Sequence, residues 1–156
     1  MTLPPFQAIL DAHRDDVYRF LLATVGPADA DDCFQETFLS ALRAYPRLRH
    51  GGNLRGWLLT IAHRKGMDAH RARARRPLPV EELPEPAAPD SAGMDGVPEL
   101  WSQVRELPPK QRAAVAHRYV TDLSYREIGE LLDCSEEAAR RNVHEGLKKL
   151  REAVER

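Results

Sequence analysis

The 156-residue chain is 42% hydrophobic and 30% charged, ordinary values that exclude a collagen-like, wholly disordered or disulfide-framework protein. Its 23 Lys and Arg against 24 Asp and Glu leave a formal net charge of −1, an average that hides a very uneven distribution. No apolar run approaches the ~18 residues of a membrane span. The start, Met1-Thr2-Leu3-Pro4-Pro5, lacks the basic-then-apolar layout of a secretory signal, so a cytoplasmic protein without membrane insertion is expected.

In chain order, Phe6, Ile9, Leu10, His13, Val17, Phe20 and Leu21 recur at three- and four-residue steps and predict a first helix with one buried stripe. Gly26-Pro27 ends it, and Pro27 suits the first turn of a second helix. That helix carries Ala30, Cys33, Phe34, Thr37, Phe38, Ala41, Leu42 and Tyr45 inward until Pro46. Its outward positions are Asp31, Asp32, Gln35, Glu36, Leu39, Ser40 and Arg43. The helix dipole alone accounts for the early acids, which leaves Leu39 either as ordinary surface or as part of a partner-binding face.

After a loop from Arg47 to Gly52, Asn53 is placed to cap a third helix. Leu54, Trp57, Leu58, Ile61 and Ala62 form its apolar face, with Trp57 in register as core. Its continuation to Arg76, holding Arg64, Lys65, His70, Arg71, Arg73, Arg75 and Arg76, is almost wholly basic. Residues 43–76 carry 10 basic side chains and 1 acidic one, a balance of +9 between a −5 segment before and a −6 segment after. A block of that density suits a phosphate backbone; the arginines are expected to stay unpaired with the chain's own acids. Gly66 is expected to weaken this helix by roughly 1 kcal/mol relative to alanine.

Residues 77–98 hold 6 of the 12 prolines, 5 acids, no base and no aromatic, the composition of a linker. Beyond it, Leu100, Trp101, Val104 and Leu107 mark one helix, and Pro108-Pro109 opens another containing Val115 and Tyr119. Ser124 with Glu127 forms a capping box for a short helix with Ile128, Leu131 and Leu132 inward. A turn through Asp133 and Cys134 leads to Ser135, the cap of a last helix with Ala139, Val143, Leu147, Leu150 and Val154 inward. Its outward face mixes Glu136, Glu137 and Glu145 with Arg140, Arg141, Asn142, His144 and Lys148. That face is either a self-paired surface, Glu136 to Arg140 and Glu137 to Arg141, or a base-reading one. A short helix, a tight turn and a longer polar-faced helix make a helix-turn-helix layout. The fold class is therefore all-α: two small helical domains, 1–76 and 99–156, joined by a Pro-rich acidic linker over 77–98.

Enzyme chemistry finds no support. No glycine-rich phosphate loop or nucleophile elbow occurs, and the six histidines and two cysteines lack metal-ligand spacing. No cofactor or metal is expected, and Cys33 and Cys134 read as reduced core residues.

The chain resembles the bacterial RNA polymerase sigma factors of the extracytoplasmic-function class. The resemblance is carried by Asp31-Asp32-Cys33-Phe34-Gln35-Glu36-Thr37-Phe38, by Gly56-Trp57-Leu58-Leu59-Thr60-Ile61-Ala62 leading to Asp68 and Arg71, by Leu107-Pro108-Pro109-Lys110-Gln111-Arg112 and by Leu123-Ser124-Tyr125-Arg126-Glu127-Ile128-Gly129. It implies that Asp31, Asp32, Gln35, Glu36 and Leu39 dock on the clamp helices of the large subunit of core polymerase. It implies that Asn53 and the third helix, through Arg64, Lys65, His70, Arg71, Arg73 and Arg75, engage the minus-ten element and its melted strand. Ser135, Glu137, Arg140, Arg141, His144 and Lys148 would read the minus-thirty-five element as duplex. Arg64 stands where Asn is common, Ala138 where a hydroxyl is usual, Glu137 where a small residue is usual, and Glu145 and Leu147 where bases are common. Two alternatives stay open: a degenerate sigma-like protein that holds polymerase without selecting promoters, and an autonomous helix-turn-helix regulator. The sequence also leaves open an anti-sigma factor as partner.

Overall fold

The computed structural model describes residues 3–49, 52–75 and 98–155. Seven α-helices run in chain order: α1 (Phe6–Val25), α2 (Pro27–Ala44), α3 (Leu54–Arg75), α4 (Pro98–Glu106), α5 (Pro109–Tyr119), α6 (Tyr125–Leu132) and α7 (Glu136–Val154). A short 3₁₀ turn over Tyr45–Arg47 follows α2, and no strand occurs among the described residues. The expected linker lies outside the described residues up to 97.

α1, α2 and α3 pack on one another around Val17, Phe20, Leu21, Cys33, Phe38, Leu58, Leu59 and Ala62, all buried. Gly26 at φ 85° makes the reversal between α1 and α2, a conformation that costs glycine nothing. Thr37 Oγ1 donates to the Cys33 carbonyl at 2.6 Å, which satisfies a hydroxyl that is fully buried. Trp57 lies half-buried beside Tyr45, ring centroids 6.2 Å apart.

Three expectations about this unit change. Leu42, placed inward by periodicity, is 50% exposed, because it lies in the last turn of α2, where nothing covers that face. Leu59, outside the predicted stripe, is fully buried. Gly66 does not interrupt α3: it is buried, and a Cβ there would sit 3.4 Å from Val25 Cγ1. Close approach of α1 offsets the propensity cost.

The helix-turn-helix follows the sequence closely. Ser124 Oγ accepts from the Glu127 amide at 3.1 Å while Glu127 Oε1 accepts from the Ser124 amide at 3.1 Å. Asp133 adopts the left-handed conformation (φ 57°, ψ 48°), which Asp tolerates better than most residues. Ser135 Oγ then accepts from the Ala138 amide at 3.0 Å and starts α7. Gly129 lets the two helices close, since a Cβ on it would lie 2.8 Å from the Cys134 carbonyl oxygen. Gly129→Ala is expected to destabilise the chain by about 1–3 kcal/mol; an unchanged melting temperature would refute this. Val154, read as inward, is 67% exposed because it sits in the last turn of its helix, and Tyr119 at the end of α5 is 58% exposed.

The largest departure is that the two units pack together. α1 touches α4 and α5, and α3 touches α6. Leu22, Ala23 and Thr24 at the end of α1 are therefore buried as well as its stripe, and α5 is buried from Gln111 through His117. The His117 ring, 0% exposed, stacks on Phe20 at 4.1 Å and 12°. Arg112 donates to the Thr24 carbonyl at 3.3 Å and to the Leu107 carbonyl at 3.0 Å. One guanidinium thus serves the negative ends of both α1 and α4. Arg55, counted in the basic block, donates instead to Asp16 at 2.8 Å and to the Thr121 carbonyl.

Candidate polymerase and nucleic-acid interfaces

On α2, helical spacing puts the buried Ala30, Cys33, Thr37 and Ala41 on one side. Asp31, Asp32, Gln35 and Glu36 are exposed on the other, together with Leu39 at 45%. Leu39 and the neighbouring Leu42 give this polar face two uncovered leucines, an apolar centre with a charged margin, which is how a protein-binding patch is built. The Cys33 thiol behind this face donates weakly to the Lys65 carbonyl at 3.8 Å. Burial first, then the carboxylates of Asp29, Asp32, Glu36 and Asp68, push its pKa up to about 11.

α3 starts at Asn53, whose Oδ1 accepts from the Gly56 amide at 3.0 Å, so Asn53 acts as the expected cap. Arg64, Arg71, Arg73 and Arg75 are exposed, while Lys65 and His70 are half-buried. The expectation that this tail avoids the chain's own acids needs correction. Arg73 Nε lies 3.1 Å from Asp29 Oδ2, Arg71 lies 3.6 Å from Asp68, and Lys65 lies 3.9 Å from Glu36. The acids come from α2, whose start the α3 tail crosses, and from one turn earlier on α3. Such partly exposed pairs are worth only about 0–1 kcal/mol, so they yield to a phosphate. Arg64 and Arg75 form no ion pair among the described residues. His70 lines a cleft of about 390 Å³ with Arg73, Arg105 and Arg112; burial, then Arg112, lowers its pKa. The Lys65–Glu36 contact joins the margin of the α2 face to the basic face of α3.

On α7, Glu136, Glu137, Arg140, Arg141, His144 and Lys148 are exposed, and Ser135 is exposed as its cap. Of the two internal pairs considered, Glu136 to Arg140 forms at 3.7 Å and Glu137 to Arg141 does not. Glu145 is not simply an outward acid: its Oε2 accepts from Gln111 Nε2 at 3.2 Å. Leu147 packs on the core. Two residues that periodicity does not single out join this face. The Tyr125 ring is in cation–π contact with both Arg118, at 4.6 Å, and Arg140, at 5.0 Å. It links α5, α6 and α7, so no spacing within one helix reveals it. Among the described residues no cluster of three or more His, Cys, Asp or Glu could hold a metal ion, and no helix is long and apolar enough to cross a membrane.

Residues 9–76 match the family model for sigma-70 region 2 and residues 99–150 that for sigma-70 region 4. The chain is 34% identical to the RNA polymerase sigma factor CarQ of Myxococcus xanthus, over 96% of this chain and 88% of that protein. It is 33% identical to the ECF RNA polymerase sigma factor SigD of Mycobacterium tuberculosis, over 94% of this chain and 75% of that protein. The chain belongs to the ECF sigma factors.

Among solved structures, the sigma factor RpoE in complex with the anti-sigma factor NepR, from Bartonella quintana, has a TM-score of 0.78 at 19% identity and covers 96% of each chain. CnrH in complex with the cytosolic domain of CnrY has a TM-score of 0.71 at 18% identity, covering 96% of this chain and 87% of that one. Both share the all-helical fold. As a sigma factor the chain binds core RNA polymerase and promoter DNA and directs promoter-specific transcription initiation. The matched region 2 module is what an autonomous helix-turn-helix regulator would lack.

Proposed function

We propose that this sigma factor divides its work between units 1–76 and 99–156, joined through 77–98. In unit 1–76, Asp31, Asp32, Gln35, Glu36 and Leu39, with Leu42 beside them, dock on the clamp helices of the large polymerase subunit. Asn53 and the basic side of α3, through Arg64, Lys65, His70, Arg71, Arg73 and Arg75, hold the minus-ten element and its melted strand. In unit 99–156, Ser135, Glu137, Arg140, Arg141, His144 and Lys148 read the minus-thirty-five duplex, with Arg118 added to their phosphate grip. The observation that carries this reading is the pair of uncovered leucines on the acidic face of α2, abutting through Glu36 and Lys65 the basic side of α3.

The chain has no catalytic activity of its own: polymerase makes the phosphodiester bonds, and this subunit sets where they begin. It works in the cytoplasm, where polymerase and promoter are. An anti-sigma factor belongs among its partners; the two solved relatives above are each captured with a second protein, named in one case as an anti-sigma factor.

Reconstitution with core polymerase tests the reading. The chain is expected to co-elute with core and to give transcripts with common upstream elements at two fixed distances. Glu36→Arg with Leu39→Asp is expected to abolish co-elution while leaving the helical content intact. Core binding that survives this double substitution would refute the assignment of the α2 face.

A further inference from the structure

We propose that His117 is an acid-sensitive latch: neutral, it holds the two helical units closed, and protonation releases them. The contact crosses the boundary between the units, since His117 belongs to α5 and the ring it stacks on, Phe20, belongs to α1. The imidazole is 0% exposed, Nε2 is buried without a hydrogen-bond partner, and Nδ1 has only Thr121 Oγ1 at 3.5 Å. Among the described residues nothing accepts from Nε2, so an imidazolium here would bury one N–H without a partner. His63 of α3 lies across the boundary with its ring centroid 6.1 Å away.

The charged groups facing the pair are cationic. Arg55 and His63 of α3 bear on His117, and Arg64 bears on His63. On α5 itself, Arg112 and Arg118 are engaged with backbone carbonyls. The carboxylate that α1 brings to this boundary, Asp16, is held by Arg55 at 2.8 Å. Burial first, and then these cations, hold the His117 pKa well below the ordinary 6.5 and lower that of His63.

Closure has a functional cost if α3 and α7 make the promoter contacts proposed above. Elements whose centres lie ~25 base pairs apart are ~85 Å apart at ~3.4 Å per step. The whole of α3 is only ~33 Å long. In the closed chain the N-terminal part of α3 and the length of α6 line one cleft of about 110 Å³, with Asn53, Gly56 and Thr60 facing Leu123, Glu127 and Leu131. One closed chain cannot reach both elements, so release of the latch precedes promoter binding.

The sign of the pH dependence follows. Above the ordinary imidazole value His117 is neutral whether the units are open or closed, and closure is at full strength. Below it the open form takes up a proton that the closed form refuses, so the closed-to-open ratio falls by close to tenfold per pH unit, and by up to about a hundredfold where His63 titrates too.

Small-angle X-ray scattering of the free 156-residue chain, without polymerase, at about pH 7.5 and about pH 5 and constant ionic strength tests the latch, with far-ultraviolet circular dichroism run in parallel. The parent chain is expected to be compact at the higher pH and to expand at the lower with its helicity intact. His117→Phe and His117→Leu, which keep an apolar contact with Phe20 and cannot titrate, are expected to stay compact at both. A parent chain that does not expand, expansion accompanied by loss of helix, equal expansion of all three chains, or two variants already expanded at the higher pH would each overturn the proposal. Because core polymerase is absent from this measurement, its failure leaves the reconstitution result standing, and the reverse holds too.

Discussion

Phe20→Ala is expected to lower the unfolding free energy by about 3–5 kcal/mol, the range for truncating a fully buried aromatic side chain. Phe20 is 1% exposed and takes part in two packings at once, the α1–α2–α3 core and the stack on His117. Truncation therefore leaves a cavity in one unit and removes the ring on which the other rests. Urea denaturation should show a lower midpoint. The early part of the transition should separate from the rest, because the unit from α4 onward loses its seat on α1. Tyr119→Ala, at a position 58% exposed, is the matched control and is expected to change stability by no more than about 0.5 kcal/mol. If the two substitutions cost the same, the joint core described above does not exist in solution.

The second large effect concerns salt. Replacing Arg64, Arg71 and Arg75 together by glutamine removes three exposed cations from the side of α3 proposed to meet DNA. Every duplex phosphate that goes unneutralised as a result should make the log–log dependence of promoter affinity on salt shallower by about 0.9. Across a fourfold rise in salt, the parent holoenzyme should then lose roughly fortyfold more affinity than the variant does. Titrating a promoter duplex with both holoenzymes at several salt concentrations gives the two slopes directly. Parallel lines would mean that these arginines do not touch phosphate. Arg73 is left out of the variant because its ion pair with Asp29 also ties the α3 tail to α2.

What the chain discloses before folding is what local chemistry decides. The Ser124–Glu127 capping box, the turn through Asp133 and the Ser135 cap each act within four residues, and each is present as expected. The stripe along α1 and the outward side of α2 follow from helical period alone. Burial at Leu22, Ala23 and Thr24 does not, because it is created by α4 and α5, whose arrival no α1 pattern announces. Arg55 is indistinguishable in sequence from its basic neighbours, yet it faces Asp16 and a carbonyl some 66 positions away. Leu42 and Val154 show the opposite failure: the period carries on to the last turn after the partner helix has run out. The same limit applies to the interfaces. Gln35, Glu36 and Leu39 are legible because exposure on one helix is periodic. Arg118 and Tyr125 are not, because their stack with Arg140 joins three helices.

The buried thiol of Cys33 has a chemical consequence for how the chain can be controlled. With its pKa near 11, about one molecule in ten thousand carries the nucleophilic thiolate at neutral pH. Peroxide and electrophiles therefore have almost nothing to attack at Cys33, so the α2 face is shielded from oxidation at its own buried thiol.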